Sequence, residues 1–112
     1  MTATGFMEIR LSGNGQTVAQ IEPPGVEGYI LGRSDSSSTY LPDIDLADFG
    51  ARDKGVSRRH AVFVSYRGMV HVVDLSSVNG TFLNGERLLP DVPYPLNSGD
   101  QLSLANLSLV VG

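Results

Sequence analysis

His60-Ala61-Val62-Phe63-Val64-Ser65-Tyr66-Arg67-Gly68-Met69-Val70-His71-Val72-Val73-Asp74-Leu75 is the stretch that decides the fold. Its two halves are rich in β-branched and aromatic residues, which fit a pleated, half-buried surface, and Arg67-Gly68 divides them. Two such runs around a two-residue break predict a β-hairpin, His60 to Tyr66 against Met69 to Leu75. The same period-2 pattern recurs outward in both directions. Met7-Glu8-Ile9-Arg10-Leu11 alternates, Gly13-Asn14-Gly15 supplies a turn, and Thr17 to Ile21 returns as the partner of a first hairpin. Pro23-Pro24-Gly25 breaks the chain, Tyr29-Ile30-Leu31 is a short apolar run, Asp35 to Tyr40 is a Ser-rich loop, and Ile44 to Leu46 is a brief strand. Downstream, Thr81 to Leu83 and Arg87 to Leu89 flank Asn84-Gly85, a pair suited to a type I′ turn. Pro90 to Gly99 reads as a Pro-interrupted loop, and Gln101 to Leu104 and Leu107 to Val111 close around Ala105-Asn106. Almost nothing repeats at 3.6 residues. Roughly ten short strands with turn signals between them predict an all-β sandwich or barrel.

The chain has 112 residues, one domain's worth, with 41% hydrophobic and 18% charged residues, as expected of a soluble globular domain rather than a disordered or fibrous one. The absence of cysteine excludes disulfides, thiol nucleophiles and Cys-based metal sites. No apolar run is long enough for a membrane span, and no charged segment followed by an apolar one opens the chain, so the expectation is a cytoplasmic protein without membrane contact. The last strand ends within a residue of the C-terminus, which suggests a module of a longer protein. A net charge of −4 argues against a nucleic-acid partner, whose affinity would come from neutralising many phosphates. That average hides an island. Residues 52–67 hold Arg52, Lys54, Arg58, Arg59 and Arg67 against Asp53 alone, a local +4 that leaves −8 on the remainder. An island of that size receives one or two anions, not a duplex.

Catalytic readings of the sequence are weak. Ser57 and His60 lie three apart, but a hydrolase also needs an orienting acid and an oxyanion hole, and the plainer reading is a loop serine beside a hydrogen-bonded core histidine. His71, at an alternating strand position, is expected to face solvent. Asp43, Asp45 and Asp48 with two histidines do not form a recognisable metal site, and Gly13-Asn14-Gly15 has neither the third glycine nor the following helix of a dinucleotide-binding turn. No enzyme activity, metal or cofactor is expected.

What remains is a series of polar residues in turns, where a sandwich places its binding chemistry. Gly32-Arg33 ends a strand, Ser57-Arg58-Arg59-His60 leads into the strongest one, and Asp74-Leu75-Ser76-Ser77-Val78-Asn79-Gly80-Thr81 spans a turn. Asn84-Gly85 and Gly99-Asp100 follow. In that order and spacing, from about Ile30 to Val110, the series resembles the forkhead-associated (FHA) domain, with the leading hairpin fitting the start of the same fold.

The resemblance implies a single FHA domain over residues 1–112, an antiparallel β-sandwich of about eleven short strands with its binding loops at one end. It also implies a phosphothreonine-dependent peptide-binding module of serine/threonine-kinase signalling, whose partners are phosphothreonine proteins, the kinase or its substrates. On it, Arg33, Ser57 and Arg58 meet the phosphate and Asn79 holds the peptide main chain. His60 braces the loops from beneath, and Gly32, Gly80 and Thr81 support them. The residue chemistry agrees, because a guanidinium fork and a hydroxyl donor match a phosphate dianion. Arg59 and Arg67 are read as solvated charges, and Arg52 and Lys54 as long-range attraction. Val78 departs from the family pattern, which often has a polar residue before the asparagine. The alternative is a docking or scaffold module that uses the same sandwich without phosphate. Selectivity beyond the phosphothreonine is expected from the loops at Ser34 to Tyr40 and Val78 to Leu83.

Overall fold

The computed structural model describes every residue except 3, 4 and 26. Among the described residues, eleven strands form two sheets. The first six-stranded sheet has the order β2-β1-β11-β10-β7-β8, and the second five-stranded sheet has the order β4-β3-β5-β6-β9. The strands are β1 (Met7–Leu11), β2 (Thr17–Ile21), β3 (Tyr29–Gly32), β4 (Ile44–Asp45), β5 (Arg59–Tyr66), β6 (Met69–Asp74), β7 (Thr81–Leu83), β8 (Glu86–Arg87), β9 (Tyr94–Pro95), β10 (Asp100–Leu104) and β11 (Leu107–Val111). One 3₁₀ turn, Ala47–Phe49, follows β4.

Alternation in the sequence becomes the core between the sheets. Met7 and Ile9 of β1, Leu102 and Leu104 of β10, and Leu107, Leu109 and Val111 of β11 are buried from one side. Leu31, Ile44, Ala61, Phe63, Val70 and Val72 are buried from the other. Each large aliphatic or aromatic side chain so buried contributes about 1.5–3 kcal/mol of transfer free energy, so sheet-to-sheet packing rather than any helix stabilises the domain. The central hairpin pairs Ala61 with Asp74 through Tyr66 with Met69, and Arg67 and Gly68 both adopt positive φ, 52° and 75°, as a type I′ turn requires.

Three details differ from the sequence reading. Tyr94–Pro95 is a strand inside the stretch read as a loop, pairing with Val72 and His71 at the sheet edge. Proline lacks a donor and is tolerated only at such an edge, which hid the strand. The pairing of β3 with β4 is parallel, Leu31 opposite Ile44 and Gly32 opposite Asp45, because residues 33–43 carry the chain back to run alongside β3. His71 does not face solvent. It is 9% exposed, its ring stands edge-on to Tyr66 with centroids 5.1 Å apart, and Nδ1 lies 3.0 Å from the Met69 carbonyl. The outer face of β6 is covered there by a neighbouring aromatic.

One irregularity positions the site. Leu31 pairs with Ala61 but Gly32 pairs with Arg59, so His60 is an extra residue in β5. A bulge bends its strand and re-aims a side chain. Accordingly His60 and Ala61 are buried in succession where strict alternation would bury only one.

Candidate functional site

At the end of the sandwich where β3 stops and β5 begins, four loops are tied together by backbone hydrogen bonds. Arg33 N–H donates to the Arg58 carbonyl at 3.2 Å, Asn106 N–H to Lys54 at 3.0 Å, and Ala105 N–H to Gly80 at 2.9 Å. Gly32 is at the point of closest approach. A Cβ there would lie 1.8 Å from the Arg58 carbonyl oxygen, so no other residue lets the two chains meet this way.

The Arg33 side chain, 18% exposed, is fastened along one edge. Nε donates to the Val56 carbonyl at 2.7 Å and Nη1 to Asp35 Oδ2 at 3.2 Å. A guanidinium has five N–H groups in a rigid fork, and those of Nη2 have no partner among the described residues. The Asp35 carboxyl is held well below the usual carboxylate range, first by the Ser37 backbone N–H and hydroxyl and then by Arg33, so this carboxyl is ionised at neutral pH. Asp45 carries the next part of the loop. Its Oδ1 accepts from Ser34 N–H at 2.8 Å and Ala47 N–H at 3.0 Å. Partial burial raises its pKa, and these hydrogen bonds outweigh that and lower it. Asp43 Oδ2 accepts from Ile30 N–H at 2.8 Å. All three carboxylates accept from backbone N–H groups and so shape the loop and its flanking strand.

Beneath the loops lies His60, 0% exposed. Nδ1 accepts from the Ser57 backbone N–H at 3.0 Å, so the ring proton resides on Nε2, which donates to the Gly80 carbonyl at 2.8 Å. A second ring proton would put two donors face to face at Ser57, and burial pushes the His60 pKa down, more than the Gly80 bond and the Asp74 charge raise it. The ring is therefore a neutral strut. Both nitrogens are consumed by backbone groups, which leaves His60 no lone pair with which to activate the Ser57 hydroxyl and removes the nucleophile–base reading. Ser57 Oγ instead accepts from Val78 N–H at 3.3 Å, and its own O–H has no acceptor among the described residues.

The loop between β6 and β7 is organised by Asp74, only 2% exposed. Its Oδ1 accepts from the Ser77 and Thr81 hydroxyls, each at 2.6 Å, and its Oδ2 from Ser77 N–H at 3.2 Å. Ser77 Oγ in turn accepts from Gly80 N–H at 3.0 Å. Gly80 has φ +90°, a conformation that residues with a side chain rarely adopt, so the backbone there calls for glycine. Asn79 Nδ2 donates to the Gly55 carbonyl at 2.9 Å, a bond that sets its side chain across the mouth between the two loops.

A family model described as the FHA domain matches residues 29–105. The chain belongs to the FHA family. It is 33% identical over 109 residues to the oxoglutarate dehydrogenase inhibitor of Corynebacterium diphtheriae, covering 97% of this chain and 72% of that protein. It is likewise 33% identical over 99 residues to the glycogen accumulation regulator GarA of Mycolicibacterium smegmatis, covering 88% of this chain but 59% of that one. These relatives are named as an inhibitor and a regulator, not as enzymes. Among solved structures, one from a structural and functional study of phosphothreonine-dependent FHA domain interactions superposes with TM-score 0.69 at 27% identity, covering 96% of this chain and 95% of that one. The FhaA FHA domain, solved in complex with the intracellular domain of Rv3910, superposes with TM-score 0.67 at 27% identity, covering 95% and 99%.

Within this FHA domain the structure brings Arg33, Ser57 and Asn79 to one mouth, on the loops after β3, before β5 and between β6 and β7. Arg58 is exposed at the same rim, and its guanidinium has no hydrogen-bond or ion-pair partner among the described residues. Gly32, His60, Gly80 and Thr81 lie behind that mouth. Arg67 sits at the opposite end of β5, against the Tyr66 ring at 5.2 Å. Lys54 lines a separate groove of about 370 Å³ with Leu11, Phe49, Asn106 and Leu107. Val78, 81% exposed, offers an apolar side chain beside Asn79. The sequence reading assigned no role to Asp74, Ser77, Asp35 or the Val56 carbonyl. A signal for the first two was present: Asp74 and Ser77 at i and i+3 have the spacing of a side-chain-to-backbone turn. Nothing in the sequence marks Val56, because only its backbone oxygen acts.

Proposed function

We propose that this domain binds phosphothreonine-containing protein segments, without catalysing a reaction, as a cytoplasmic module of serine/threonine-kinase signalling. The observation that carries this reading is the half-fastened Arg33: Val56 and Asp35 fix one edge of the guanidinium, and the edge bearing Nη2 is left for a ligand. A phosphothreonine brings about −1.5 to −2 charges and three acceptor oxygens, which suit that fork together with the free Ser57 O–H and the Arg58 charge. The Asn79 amide, with one donor engaged at Gly55, keeps a second donor and its oxygen for the peptide main chain. Residues 1–112 are read as one FHA domain of a longer protein. Among the described residues no helix is long and apolar enough to cross a membrane.

The test is a calorimetric titration with matched phosphorylated and unphosphorylated threonine peptides drawn from a degenerate library. Binding of the phosphorylated form alone is the expected result. Equal affinity for both forms would replace this reading with a phosphate-independent docking module on the same sandwich.

A further inference from the structure

We propose that Ser37 is a modification site built into the binding mouth: a phosphoryl group on its Oγ is captured by the chain's own Arg33 and closes the site to peptides. The closing of the site rests on the phosphopeptide reading above, whereas the capture does not. The loop 34–43 between β3 and β4 is Ser-rich, and Ser36, Ser37 and Thr39 are exposed in it. Ser37 alone of these three is wired to Arg33. Its Oγ donates to Asp35 Oδ1 at 2.8 Å and its N–H to the same oxygen at 2.9 Å, while Asp35 Oδ2 holds Arg33 Nη1 at 3.2 Å. A single carboxylate thus lies between the Ser37 hydroxyl and the guanidinium, and in the unmodified chain that carboxylate is the anion Arg33 holds.

Phosphorylation exchanges these partners. A serine kinase using a nucleoside triphosphate forms the Oγ–P bond as the bond from the γ-phosphorus to the β-bridging oxygen breaks, the nucleoside diphosphate leaves, and the hydroxyl proton passes to the kinase base or solvent. The bridging Oγ then has no hydrogen to give Asp35, and a dianion stands against that carboxylate as a like charge. A phosphoryl group accepts from a guanidinium through several oxygens and carries more charge than a carboxylate, so it displaces Asp35 from Arg33. With only three residues between Arg33 and Ser37, the tethered phosphate acts at an effective concentration on the order of millimolar, enough to compete with a diffusing peptide.

The experiment installs phosphoserine at position 37 during synthesis of the whole chain, with phosphoserine at the exposed Ser65, towards the far end of β5, as the control for added charge. A phosphothreonine peptide that binds the unmodified chain should bind the Ser37-phosphorylated chain at least tenfold more weakly and the Ser65-phosphorylated chain within about twofold. The ³¹P resonance of the phosphoserine at 37 should titrate with its second pKa lowered by about one unit from the usual value near 6, and Arg33→Ala should restore that value. Undiminished peptide affinity after phosphorylation at 37, or a ³¹P titration indifferent to Arg33→Ala, overturns the proposal. If the unmodified chain binds no phosphopeptide, the functional reading and the closing of a peptide site fall together, while the ³¹P titration still decides the capture of the phosphate by Arg33.

Discussion

Replacing His60 with alanine separates the frame of the site from its ligand contacts. The imidazole joins the loop before β5 to the loop before β7 through two hydrogen bonds, Ser57 N–H to Nδ1 at 3.0 Å and Nε2–H to the Gly80 carbonyl at 2.8 Å. His60→Ala leaves a part-buried donor and a buried acceptor without partners, each costing about 1–3 kcal/mol. A total of about 3–4 kcal/mol is expected once partial relaxation is allowed. With an unfolding entropy of about 2.1 cal/mol/K per residue, 1 kcal/mol shifts the Tm of a chain this size by about 4 °C, so the variant should melt roughly 12–16 °C lower. The pH dependence gives an independent reading. The folded-state pKa of His60 lies below its unfolded value, chiefly through burial, so below about pH 6.5 the unfolded chain binds more protons than the folded one. The His60 contribution is neutral to pH above 6.5, and stability is lost as pH falls from there toward the lowered folded pKa. Denaturant unfolding without peptide, repeated between pH 7.5 and 5, should show this loss in the parent chain and a smaller one in His60→Gln. A His60→Ala variant that melts within about 3 °C of the parent, or equal pH slopes for parent and His60→Gln, would refute the neutral-strut argument.

Arg33→Ala should weaken phosphopeptide binding by well over tenfold while leaving the fold intact by circular dichroism. Arg33→Lys should recover only part of the loss, because an ammonium cannot reproduce a fork fastened at one edge. Ser57→Ala should reduce affinity in calorimetry with little change in Tm, the reverse of what a frame residue would do. Gly32→Ala should cost about 1–3 kcal/mol in denaturant unfolding and also weaken peptide binding, since a Cβ 1.8 Å from the Arg58 carbonyl must push apart the loops that carry Arg33 and Ser57. A phosphothreonine peptide should bind several-fold to a hundredfold more tightly than its phosphoserine counterpart if the threonine methyl is enclosed, a discrimination of about 1–3 kcal/mol readable by competition titration.

The elements legible in the sequence were those with a period. The hairpins around Arg67-Gly68 and Asn84-Gly85 announce themselves by alternation and turn chemistry, and their turns carry the positive φ that those residue pairs favour. Tyr94–Pro95 was hidden because two residues cannot show a period and proline argues against a strand away from an edge. His71 was misread because period 2 says which side of a strand a residue takes, not whether a neighbour such as Tyr66 covers that side. At the mouth, the side chains that face outward were found through the series of motifs, since a ligand-facing role constrains residue type. The frame behind them was less visible. Asp74 looks like any turn aspartate until its oxygens are seen holding Ser77 and Thr81, and Val56 acts only through its backbone oxygen.

Fold and site meet at the bulge in β5. Were β5 regular, Gly32 would pair one residue further along, and His60 would take the outer face while Ala61 alone turned inward. The extra residue aims the imidazole under the loops, and the missing Cβ of Gly32 lets β3 close onto Arg58. With the β3 end fixed there, Arg33 Nε falls on the Val56 carbonyl and the fork is oriented before any ligand arrives. Holding a donor fork in one geometry beforehand reduces the ordering cost of binding, so the backbone irregularity adds affinity without touching the ligand. The polar groups at this end therefore divide by where their hydrogen bonds go. Those of His60, Asp74 and Thr81 are directed to the chain itself, while Nη2 of Arg33 and the O–H of Ser57 are left open, and substitutions in the two sets should move stability and affinity in different proportions.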